Sequence, residues 1–204
     1  MLPFVSEEEY ERHREYQRTE ALMLSAEEKK YPEYCSCALP ELLKISHRRR
    51  ELWTLCALRA SLKLHEVYFS SFGEGEYPRS SAAREYFGSE AALLSHLYKL
   101  GMENKYGFVG IARGPGKAPF LFSVGYISES GDAWRFEKHC DTALKRAYRS
   151  AYNAELFERG EPVLSVDLCE HAYFDGYSFD KERYLTAALA HMRVEALDDT
   201  LHFT

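Results

Sequence analysis

The chain has 204 residues, 46% of them hydrophobic, enough apolar material for one large domain or two small ones around a buried core. Its formal net charge is −6, from 26 basic and 32 acidic residues. That argues against a nucleic-acid partner, because neutralising phosphates needs a basic face. No apolar run approaches the roughly 20 residues of a membrane helix, so no membrane partner is expected. The opening Met1-Leu-Pro-Phe-Val-Ser-Glu-Glu-Glu9 has neither the basic flank nor the long apolar run of a signal peptide, which makes a cytoplasmic location the expectation. The five cysteines, Cys35, Cys37, Cys56, Cys140 and Cys169, are an odd number and read as free thiols. Cys35-Ser-Cys37 offers two thiols to a metal, but no second Cys pair lies at zinc spacing.

In chain order, residues 6–25 lack Gly and Pro, and Ser6 followed by Glu9 is a capping-box pattern, so a helix is predicted there. Residues 27–40 carry two prolines and read as a connection. Residues 39–72 are apolar at helical spacing and predict a short helix and then a long one, ending at the Gly/Pro-rich stretch 73–78. Residues 81–100 predict one helix or two, stopped by Gly101. Residues 106–112 and 119–127 read as strands of a hairpin, joined by Arg-Gly-Pro-Gly-Lys. A helix is expected over 137–158 and a short strand over 163–167. The chain is expected to turn helical again from Glu170, with a helix over 181–197. The fold class is therefore α+β: an N-terminal helical hairpin, residues 1–78, followed by a domain of helices around a small antiparallel sheet, residues 79–204.

The densest chemistry lies in Pro162-Val-Leu-Ser-Val-Asp167-Leu-Cys-Glu170-His171-Ala-Tyr-Phe174. A carboxylate leaves a buried strand and an imidazole comes four residues later. If the chain turns helical at Asp167, both side chains face the same way and suit a borderline metal such as iron or manganese. The same pattern also describes an Asp that caps a helix whose first turn exposes His171.

The longer string resembles the Asp-x-Trp-Glu-His-Ala-Tyr motif of the iron/manganese superoxide dismutases, matched here by Asp167, Glu170, His171, Ala172 and Tyr173. Tyr177 and Arg183-Tyr184-Leu185 resemble the continuation of that motif toward the family's last helix. Leu64-His65-Glu66-Val67-Tyr68-Phe69 is similar to the segment around the second helical His ligand, and Glu11-Arg12-His13 stands where the first would be. Phe87-Gly88-Ser89 and Gly107-Phe108 resemble a helix start and a first strand of the C-terminal domain. The resemblance implies one iron or manganese ion per chain, held by His13, His65, Asp167 and His171. It also implies superoxide or another small oxygen species as substrate, and a homodimer in which Glu170 reaches the partner's metal-ligating histidine. His47 is the rival to His13, but it stands beside Arg48-Arg49-Arg50 and only 18 residues before His65. His96, His139, His191 and His202 have no supporting context.

The chain departs from the family around the expected site. The family's gating Tyr falls on Ala21 and a neighbouring His on Gln17. The Trp of the motif is Cys169, and a later Tyr is Phe174. Lys181-Glu182 stands for Arg-Pro. The Gln that binds metal-bound solvent has Asn104 or Ser61 in its two usual places. The resemblance leaves three functions: a dismutase with altered surroundings, another redox or oxygen chemistry on the same fold, or a non-catalytic interaction protein.

Overall fold

The computed structural model describes residues 1–46, 48–74, 80–104, 106–114, 118–125 and 154–199. The first long helix, α1, spans Glu7–Lys30. Its start is the capping box the sequence shows: Ser6 Oγ accepts from the Glu9 amide, and the Glu9 carboxylate accepts from the Ser6 amide. The helix outruns the predicted end at residue 25 because Ala26-Glu-Glu-Lys-Lys30 are good helix formers. It stops at Tyr31, where Pro32 disfavours helical geometry.

α2 (Leu39–Ser46) and α3 (Trp53–Ser70) come next. α3 packs along α1 and against the sheet. α4 (Ser81–Phe87) and α5 (Glu90–Glu103) are two helices rather than one, each opened by a Ser cap, Ser80 and Ser89. The sheet has order β2-β1-β3, with β1 at Phe108–Arg113, β2 at Phe120–Val124 and β3 at Glu161–Asp167, all antiparallel. Gly107 enters β1 at φ +91°, and a Cβ there would lie 2.1 Å from the Val124 carbonyl oxygen, so only glycine fits. Register places Phe108 opposite Asp167, at the end of β3.

α6 (Ala154–Arg159) precedes β3. Of the helix expected over 137–158, residues 137–153 lie outside the described residues, as do His47, His139, Cys140 and His202. After β3 come a 3-10 turn (Glu170–Ala172) and α7 (Phe174–Tyr177). The helix expected over 181–197 is two, α8 (Lys181–Ala190) and α9 (Ala196–Asp199). The interruption occurs because the backbone of residues 191–193 pairs with the end of α3: Gly73 donates to the His191 carbonyl and Arg193 to that of Ser71. The main apolar core joins Leu2, Phe4, Leu64 and Tyr68 to the sheet and to α8. Among the described residues, no helix is long and apolar enough to cross a membrane.

Candidate metal centre

α1 is unusual in what it buries. Over 24 residues its buried side chains are Glu9, His13 and Glu20, all polar and spaced along one face. Glu9 is accounted for by the helix cap and by the Gly176 amide, which donates to it. His13 is 2% exposed and faces α3, where His65 is 1% exposed, with the two rings 5.2 Å apart. The end of β3 brings Asp167, fully buried, to the same point.

Asp167 belongs to the strand and not to a helix, which corrects the helical geometry expected for the Asp167/His171 pair. The chain instead turns at Leu168–Cys169. Asp167 Oδ1 accepts the Cys169 amide at 2.8 Å, a cap-like bond that turns Oδ2 inward. The 3-10 turn then carries His171 back over the carboxylate, Nε2 at 2.9 Å from Oδ2. His13 Nε2 and His65 Nε2 lie 3.2 and 3.3 Å from the same oxygen. One donor atom from each of His13, His65, Asp167 and His171 falls within 4.8 Å of all the others.

Three imidazole nitrogens crowding one carboxylate oxygen are poorly explained by hydrogen bonding alone. His13 Nε2 is buried and, despite its distance from Asp167, is not aligned for a hydrogen bond with any described residue. A buried nitrogen without a partner is costly. A cation at the centre would satisfy it, and three imidazoles with a carboxylate are a donor set that suits iron or manganese. The residues present therefore fit a bound metal.

The electrostatics agree. Burial pushes the His13 pKa down to about 4, only partly offset by Asp167, so the ring is neutral at physiological pH. Burial also opposes the charge on His65, but hydrogen bonds and attraction from Asp167 and Glu20 outweigh it and raise its pKa to about 10. Burial works against Asp167 ionising, yet the three imidazoles hold it well below the usual carboxylate range.

A pH dependence is expected for protein stripped of metal. The unfolded chain protonates His13 near 6.5, so stability falls as pH drops from 6.5 toward 4. The extra proton on native His65 stabilises fully below 6.5 and is lost as pH rises toward 10. Metal-free protein should thus melt lower at pH 9 than at pH 6.5. Metal-loaded protein, whose His65 has no proton to lose at Nε2, should not show that alkaline loss. Identical pH profiles with and without metal would contradict this.

The other residues singled out by the sequence divide into two groups. Ser61 is buried against the site, its hydroxyl 2.7 Å from Glu20. Cys169 is buried beside Asp167, and burial pushes its thiol well up, the Asp167 charge adding to the effect. Ala21 is exposed, and the half-buried Gln17 accepts from Arg14. The Asn104 amide donates to the Val124 carbonyl. Glu170 is exposed and shares with Arg12, His171, Phe174, Asp175 and Phe179 a cleft of about 320 Å³. Cys35 and Cys37 join no metal-ligating cluster among the described residues. Sequence reasoning missed Glu20, a residue that looks in the sequence like one of many glutamates on a charged helix.

Cys169→Ser is expected to leave metal content unchanged, because the thiol is outside the donor cluster and protonated. Elemental analysis of the variant checks this, and loss of metal would make the thiol a ligand.

An α+β fold that gathers three imidazoles and a carboxylate from two helices, a strand and a turn has the form of a mononuclear metal site. The family of iron/manganese superoxide dismutases supplies the comparison: its C-terminal domain model matches residues 122–199, a stretch that contains Asp167 and His171. The chain is similar to the iron/manganese superoxide dismutases over that C-terminal stretch. No curated protein matches the chain.

Proposed function

We propose that the chain binds one iron or manganese ion through His13, His65, Asp167 and His171 and converts superoxide to dioxygen and hydrogen peroxide. The observation that carries this reading is the convergence of four donors from separate elements on one buried point. The family match over Asp167 and His171 supports it. When bound, the ion supplies one-electron chemistry, oxidising one superoxide and reducing the next.

The residues of this chain prepare the site for that exchange. Asp167 offsets part of the cation's charge, and the Cys169 amide fixes which carboxylate oxygen faces inward. Neutral His13 offers a lone pair without first losing a proton. His171 is the most exposed of the four, its side chain 23% accessible, so the site opens on its side. Superoxide decay measured by stopped flow on metal-loaded protein, with Asp167→Ala as control, tests the reading.

A second reading, other oxygen chemistry on the same fold, is favoured by one observation. Neither a Tyr at position 21 nor a Gln-like amide from Asn104 addresses the site. Binding of metal without dismutation would select it.

We also propose a homodimer of a cytoplasmic protein. Glu170 is exposed next to His171, and Phe174 and Phe179 stand 44% and 73% exposed beside it in edge-on contact. A symmetric interface there would cover both rings and let Glu170 reach the partner's histidine. Light scattering at micromolar concentration should give twice the chain mass, with Glu170→Ala weakening the dimer. A monomer would exclude it.

A further inference from the structure

Glu20 is a carboxylate buried to 1% exposure. Its partners are polar groups of α3: Ser61 Oγ donates to Oε1 at 2.7 Å, and His65 Nδ1 lies 3.2 Å from Oε2. No Lys or Arg is paired with it among the described residues. A buried carboxylate needs a positive charge nearby, and among the described residues the His65 ring leads from it to the four-donor cluster. Ser61, whose place suggested a contact with metal-bound solvent, instead spends its hydroxyl on holding Glu20.

We propose that Glu20 is a positioning residue for the metal site, a reading that rests on the metal-binding function proposed above. Nδ1 of His65 faces two acceptors, Glu20 Oε2 and the Ser61 carbonyl at 3.0 Å. The Ser61 carbonyl accepts from Nδ1, which leaves the Nε2 lone pair aimed at the cluster, while Glu20 Oε2, at 3.2 Å, is not aligned for a hydrogen bond with the ring and acts on it through its charge. The carbonyl fixes the tautomer without charge, whereas Glu20 adds a second buried negative charge behind an imidazole ligand, Asp167 being the first. That charge makes His65 a stronger donor and favours the trivalent over the divalent ion. Glu20 thereby lowers the reduction potential of the site through its charge behind the ring. His13, Glu20, Ser61 and His65 form one unit across the α1–α3 contact.

The test uses full-length protein reconstituted with Mn(II) or Fe(II), as wild type and as Glu20→Gln, Glu20→Asp and Glu20→Ala. Metal affinity is measured by chelator competition, the midpoint potential by redox titration, and folding by the metal-free melting curve. Glu20→Gln keeps the shape and the bond from Ser61 but removes the charge. It should bind metal about tenfold more weakly and shift the potential positively by about 59 mV, a tenfold change for one electron. Glu20→Asp should recover most of the potential. Glu20→Ala should lose up to about 100-fold in affinity. Should Glu20→Ala fail to fold, Glu20→Gln still decides. A Glu20→Gln protein with wild-type affinity and potential, whatever its melting temperature, would overturn the proposal and leave the metal site standing. A wild type that binds neither metal would overturn both.

Discussion

Replacing Asp167 by Ala is expected to release the metal and to lower the melting temperature of metal-loaded protein by about 8–16 °C. A ligand present at about a thousand times its dissociation constant stabilises the native state by about 4 kcal/mol, and each kcal/mol moves the midpoint by about 2–4 °C in a chain of this size. Asp167 is the residue on which the site turns. One of its oxygens sets the backbone of Cys169 and the other faces all three imidazoles. Without it, three imidazole rings, two of them buried, face one another with no negative charge between them. Asp167→Asn keeps the volume and the bond to Cys169, so it separates loss of charge from loss of packing. Scanning calorimetry with elemental analysis checks both. A variant that retains its metal at wild-type melting temperature would remove Asp167 from the site.

Superoxide should decay on the metal-loaded wild type faster than on free metal, but about 10–100-fold below the diffusion ceiling of about 10⁸–10⁹ M⁻¹s⁻¹. The ceiling demands fast protons and a well-tuned potential, and the groups expected to supply them are missing or turned elsewhere. Ala21 is exposed and carries no proton. Asn104 is bonded to Val124 and Ser61 to Glu20. Tyr16, Tyr68 and Tyr106 are the tyrosines to weigh as substitutes for the absent gate. The Tyr68 hydroxyl is committed to Tyr184 in a fully buried pair, and Tyr106 is 38% exposed. Tyr16, in contrast, stacks on His171 with ring centroids 4.1 Å apart. A rate at the ceiling would therefore point to Tyr16, and Tyr16→Phe would then lower it. A rate no better than free metal would favour the other oxygen chemistry.

Much of the site is legible in the sequence because its strongest signal is local. Asp167 to Tyr173 is one short string, and the strand before it is short and apolar between Gly160 and its end. His65 is placed by the aromatic residues after it, which pack into the core. His13 has weaker support, since α1 buries polar groups and shows no apolar stripe to orient it. Glu20 is invisible for the same reason. Its meaning lies in Ser61 and His65, 41 and 45 residues further on, and only the packing of α1 on α3 brings them together. The break between α8 and α9 is hidden because the sequence around Met192 is helix-compatible. Its backbone bonds are instead taken by Ser71 and Gly73, a tertiary effect. The turn at Leu168–Cys169 escapes a reading by spacing, because four residues suggest a helix whereas a capped turn closes the same distance.

His13, His65, Asp167 and His171 together call for a single redox metal. Elemental analysis of the gel-filtered protein after reconstitution with excess iron or manganese tests it most directly. The expected result is one ion per chain in the wild type and none in Asp167→Ala. Wild-type protein that retains neither metal, or a variant that retains as much as the wild type, would contradict it.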